Sequence, residues 1–177
     1  MSEPSSVSRV VDDAHRSTMP RPPAPASALR RGVVGGIVGA AAVTGLLVGI
    51  GRRAGTAVRP LNATAYVLLG PRADGVWGVE MNVTLAGVVV VLAVSVVAGI
   101  VVARLSPPHR TPRALVAAAG VSFVGYLLHV HVAARVDGGL SALLSVGELR
   151  ALYLTYAIAL AIGMRLTFSQ GAIARRW

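Results

Sequence analysis

Cysteine and lysine are both missing from these 177 residues, and each absence narrows the chemistry open to the chain. Without Cys there is no disulfide, no thiolate metal site and no Cys nucleophile, so only His or carboxylate sites remain. With no Lys, all 17 basic residues are Arg, and Ala, Val and Gly dominate the apolar set, a bias expected of a GC-rich bacterial genome. Acidic residues number only seven and aromatic residues make up 5%. None of the Asp or Glu residues falls in the middle of the long apolar runs described below, which argues against a path for ions through a membrane. There is also no Gly-rich phosphate loop, no nucleophile elbow and no metal-ligand spacing. The expectation is therefore an interaction or structural role with no metal and no cofactor, not an enzyme.

Apolar side chains are what the sequence has in abundance. With 54% hydrophobic and 14% charged residues, the composition lies far from that of a soluble domain and points to membrane insertion. Four runs carry this signal: "GVVGGIVGAAAVTGLLVGIG" (32–51), "VTLAGVVVVLAVSVVAGIVVA" (83–103), "ALVAAAGVSFVGYLLHVHVAA" (114–134) and "LRALYLTYAIALAIGMRLTF" (149–168). Each has the roughly 20 residues that a helix needs to cross a hydrocarbon core of about 30 Å. Arg150 and Arg165 near the ends of the fourth run can snorkel to the interface. The predicted fold class is all-α, with four transmembrane helices in a bundle spanning 32–168. Residues 1–31, rich in Ser, Pro and Arg and without apolar period, read as a disordered tail, and 169–177 as a basic C-terminal tail. About 30 polar residues before the first apolar run do not fit a secretory signal peptide.

The net charge of +10 comes from Arg residues spread over both ends and every loop, not from one patch or stripe, so nucleic acid is not an expected partner. Charge of this kind sets topology instead. With the N-terminus inside, Arg9, Arg16, Arg21, Arg30, Arg31, Arg104, Arg110, Arg113, Arg165, Arg175 and Arg176 are cytoplasmic, and only Arg52, Arg53, Arg59, Arg72, Arg135 and Arg150 lie outside. The balance predicts a multi-pass protein of a bacterial inner membrane with both termini cytoplasmic.

Small residues four apart recur along the first run as Gly32/Gly36/Ala40/Thr44, Gly35/Gly39 and Gly45/Gly49, and along the second as Ser95/Gly99/Ala103. Such ladders remove side-chain bulk from one stripe of a helix and let two backbones approach. The first helix has a ladder on every face, so more than one neighbour is expected, within the chain, in a second copy or in another membrane subunit.

The linker between the first two runs, residues 52–82, is about 30 residues long where helix connections usually take 2 to 8, so it should have structure or function of its own. Within it, "RPLNATAYVLLG" (59–70) predicts a short interfacial helix over 62–70. Asn62 would be its N-cap, Leu61 would staple to Tyr66, and Gly70-Pro71 would stop it. As a cap alone, Asn62→Ala should cost about 1 kcal/mol.

Pro60, Leu61, Asn62 and Ala63, with Thr64, Gly70 and the Asp74-Gly75 pair behind a Gly-rich first helix, resemble a group of small, functionally uncharacterised four-helix bacterial membrane proteins that share a "PLNA" element after the first transmembrane helix. The resemblance implies the four-helix fold along most of residues 30–168. Members of that group commonly carry His where this chain has Tyr66 and at the start of the second helix, where it reads "MNVTLAG".

Polar side chains at membrane depth gather toward one face. Asn62, Tyr66, Glu80, Tyr126, His129 and Tyr156 form the candidate ligand-binding set. His129 and His131 are two apart and point about 200° from each other on a helix, so they cannot chelate one ion. His129, on the face of Ser122, Gly125 and Tyr126, is expected inside the bundle and bonded to Tyr126, Tyr156 or Glu80. The leading expectation is an accessory protein that docks a larger membrane assembly through its Gly-rich helix, with the lipid bilayer as its other partner. The alternative is a small binding or redox module that holds a hydrophobic ligand such as a quinone in the outer polar cluster.

Overall fold

The computed structural model describes residues 25–106, 111–133, 135 and 139–173. In chain order the elements are α1 (Pro25–Arg53), α2 (Arg59–Thr64), α3 (Tyr66–Leu69), a 3-10 turn (Gly70–Ala73), α4 (Met81–Leu105), α5 (Thr111–Leu128) with a π-helical continuation (His129–Ala133), α6 (Gly139–Leu143) and α7 (Val146–Ile173). No strand occurs among the described residues. Four stretches are long and apolar enough to cross a membrane, Ala28–Arg53, Met81–Leu105, Pro112–Ala133 and Val146–Thr167. The chain is therefore a multi-pass membrane protein.

Both expected tails are shorter than the sequence reading gave. Residues 25–31 are already helical. Pro25 stands at the first position, where its missing N–H costs nothing, and Ala, Leu and Arg then favour helix. At the other end α7 runs on to Ile173, because no Pro interrupts "SQGAI". Residues 1–24 and 174–177 of those tails lie outside the described residues.

The helices touch in cyclic order: α1 packs on α4 and on α7, and α5 packs on α7 and on α4. Their interior combines large aliphatic side chains such as Leu47, Leu152 and Leu160 with small residues where helices cross. On α4 the buried positions are Val83, Gly87, Val91, Ser95, Gly99, Val102 and Ala103, while Leu85, Leu92, Val94, Val97 and Leu105 face outward. In lipid the outward Val and Leu residues lose nothing, and the inward Gly and Ser residues let backbones meet.

Two of the expected glycine ladders make those meetings. A methyl group on Gly36 would stand 2.5 Å from the Val96 Cα, and Gly99 faces Gly32 O and Gly36 N, so α1 and α4 cross backbone to backbone. On the next face of α1, Gly35 lies 2.7 Å from where a Cβ on Gly163 would sit, and Gly39 accommodates the ring of Tyr156 and the side chain of Leu160. The third pair behaves differently. A methyl group on Gly45 or Gly49 would meet nothing within 4 Å, so neither packs on another helix among the described residues. The reason is angular: Leu47, buried in the core, lies two residues from each, about 200° around the helix, which turns both glycines outward.

α7 opens with a capping box that the sequence reading missed. Glu148 Oε2 accepts from the backbone N–H and the hydroxyl of Ser145 at 3.0 and 2.9 Å, and Glu148 N–H donates to Ser145 Oγ at 3.2 Å. Arg53 at the end of α1 reaches Glu148 at 3.8 Å and joins the two helix ends.

Candidate functional site

The segment "RPLNAT" forms α2 because Pro60 presets the helical φ in its first turn. The helix thus begins three residues before the expected start, and Val58, not Asn62, occupies the cap position without a side-chain bond. Asn62 is fully buried and does different work. Its Nδ2 donates to Val76 O at 3.2 Å and to Gly78 O at 2.9 Å, and its Oδ1 accepts from the Thr84 hydroxyl at 2.8 Å. One amide therefore joins α2, the returning loop and the first turn of α4.

The neighbours of Asn62 complete this junction. The Thr64 hydroxyl lies between two carbonyls, Leu61 O at 2.7 Å and Gly87 O at 3.1 Å. A side chain at Gly87 would run into Leu61 O, so α2 rests directly on the α4 backbone. Arg59 is buried, donates from Nη1 to Ala73 O at 3.2 Å, and holds its guanidinium 5.3 Å above the ring of Trp77. The expected Leu61 to Tyr66 staple is not how the segment is fixed. Leu61 enters the core beside Leu47 and Ile50, and Tyr66 packs with Ala65, Ala73 and Val83. The single helix expected over 62–70 is two short ones that meet at Ala65, ended as expected by Gly70 at φ 59°.

Below this junction lies a cavity of about 190 Å³ between α1, α4, α7 and the π-helical continuation of α5. Its apolar wall includes Val43, Leu47, Val91 and Leu152, and its polar side chains are Thr64, Ser95, His129, Tyr153 and Tyr156. Among the described residues, none that lines it is charged. The π-helical segment matters to its shape. A wider turn at His129–Ala133 changes the direction in which side chains leave the helix, and His129 and Ala133 both reach the cavity.

Aromatic contacts order the polar side of the cavity. Tyr153 meets His129 edge-on at 6.0 Å and Tyr126 edge-on at 5.8 Å, each at 76°. His129 Nε2 stands 3.2 Å from the Ser141 hydroxyl on α6. The expected bond from His129 to Tyr126, Tyr156 or Glu80 is thus replaced by a hydroxyl partner and an aromatic edge. The Tyr156 hydroxyl is sealed from solvent and faces Ser95, without a hydrogen bond of full geometry between them.

The six candidate residues do not form one cluster. His129 and Tyr156 line the cavity, and Tyr126 stands behind Tyr153. Asn62 is two residues from the wall residue Thr64 and is committed to the loop, while Tyr66 belongs to the separate group around Ala73. Glu80 is exposed at the start of α4, and His131 is exposed as well. The sequence reading took Ser95 as a packing residue and, while it placed Tyr153 at the polar face, left it out of the ligand-binding set. The signal was present: Tyr153 and Tyr156 are three apart on α7, and Ser95 interrupts the longest Val-rich run at mid-helix. Among the described residues, no three His, Asp or Glu side chains come together as metal ligands. Comparison with family models, curated proteins and solved structures finds no match.

Proposed function

We propose that this chain is a small four-helix bundle of a bacterial inner membrane, of the "PLNA" group that its linker resembles, and that it works by binding a small membrane-soluble molecule in the cavity beside α4 and α7. The observation that carries this reading is the cavity itself. Among the described residues it is apolar and uncharged, walled by four hydroxyl side chains and an imidazole, beside a π-helical turn of the kind that often marks functional sites. The cyclic packing of the four spans supports the bundle, and the Arg bias supports cytoplasmic termini. In that orientation α2, α3 and Trp77 belong to the outer interface, where Trp is favoured.

A second reading keeps the accessory role. Gly45 and Gly49 are exposed, and a methyl group on either would meet nothing within 4 Å among the described residues, which leaves one small-residue stripe of α1 open to another membrane helix. Purification from native membranes in mild detergent separates the two. Binding in the cavity predicts an extractable compound that falls in His129→Ala; docking predicts a co-purifying subunit that is lost in Gly45→Leu. An empty, solitary chain would contradict both.

A further inference from the structure

We infer that the ligand class is a ring-headed lipid with carbonyl oxygens, a quinone, whose ring occupies the cavity and whose tail leaves sideways into the membrane. The inference rests on the cavity being a binding site and goes on to say what it binds.

Size comes first. A cavity of about 150 Å³ holds one benzene molecule, so the 190 Å³ found here suits a single substituted ring and is far too small for a whole phospholipid. The route of access comes second. Val67 on α3 and Val94 on α4 line the cavity and are also exposed, at 72% and 62%, so they stand at its mouth. Val94 lies near the middle of α4, about 20 Å along the helix from Met81 at 1.5 Å per residue. The mouth thus runs from α3 down to Val94, and its Val94 end, at mid-span, opens to hydrocarbon and not to water. The molecule that passes it must already be dissolved in the membrane.

Polarity comes third. Among the described residues no charged side chain lines the cavity, which disfavours an ionised ligand. The hydroxyls of Ser95, Tyr153 and Tyr156 can each donate, whereas that of Thr64 is committed to Leu61 and Gly87 carbonyls. Donors on α4 and α7 around an otherwise apolar slot fit a neutral ring with acceptor oxygens, and the Tyr153 and His129 rings offer it aromatic surface. Binding alone is inferred, with no electron transfer.

The test uses the full chain in nanodiscs made from quinone-free lipid, with decylubiquinone and decylbenzene as probes and thermal stabilisation as the readout. Decylubiquinone should bind at least tenfold more tightly than decylbenzene. In the Tyr153→Phe/Tyr156→Phe variant that preference should fall about tenfold, because each lost hydrogen bond removes up to a factor of ten, while decylbenzene stays unchanged. Equal binding of the two probes to the unaltered chain would overturn the quinone assignment and leave the cavity as an apolar site. If neither probe stabilises the chain, and Val94→Trp at the mouth changes nothing, the cavity reading fails and the inference with it. The comparison of the two probes on the unaltered chain does not depend on any variant folding.

Discussion

Replacing Asn62 with Ala removes one buried amide and leaves three groups without it: the carbonyls of Val76 and Gly78 and the hydroxyl of Thr84. Each bond contributes about 1 kcal/mol net, and a buried group left unpaired costs about 1 to 3 kcal/mol. Gly78 is exposed and Val76 and Thr84 half-buried, so water can replace part of what is lost. The expected destabilisation is about 3 kcal/mol, roughly three times what a lost helix cap would cost. Asn62→Asp should be no milder. It keeps an acceptor for Thr84 but sets carboxylate oxygen against two carbonyls. The assay is equilibrium unfolding in mixed micelles with increasing sodium dodecyl sulfate, followed by circular dichroism. Trp77 fluorescence serves as the local probe, because the loop that carries it is held by Asn62 and Arg59. A loss of 1 kcal/mol or less for Asn62→Ala, with Trp77 emission unchanged, would refute the junction described here and restore Asn62 to a simple cap.

Glycine substitutions test the packing in both directions. Gly87→Ala puts a methyl group into Leu61 O, so α2 must lift from α4 at a cost of about 1 to 3 kcal/mol, measurable by the same unfolding titration. Gly39→Ala brings a Cβ to 2.9 Å from the Tyr156 ring and 3.2 Å from Leu160, and should weaken ligand binding more than it lowers stability. Gly45→Ala meets nothing within 4 Å and should stabilise α1 by about 0.5 to 1 kcal/mol, as removal of a helical Gly does in open space. Ser145→Ala removes the capping box of α7 and should cost about 1 kcal/mol.

Long apolar runs were legible because a period-free stretch of about 20 apolar residues has few other solutions. The glycine ladders were legible for a related reason: spacing by four fixes a face. Which ladder meets which helix was not, since Gly35/Gly39 and Gly45/Gly49 look alike until α7 covers the first and leaves the second open. The linker was read at the level of its residues and misread in their roles. Asn62 fits an N-cap by local pattern, and only the return of residues 76–78 above α2 supplies the carbonyls that take its amide instead. His129 is half-buried and lines the cavity, but its partner on α6 and the π-helical turn that carries it depend on contacts too distant in sequence for periodicity to show.

Whether the cavity holds a ligand is most directly answered by native mass spectrometry of the chain released from bacterial membranes. The account predicts a peak for one chain carrying one lipophile whose mass matches no phospholipid, absent from Val94→Trp. Bare chain alone, or phospholipid adducts identical in both proteins, would contradict it.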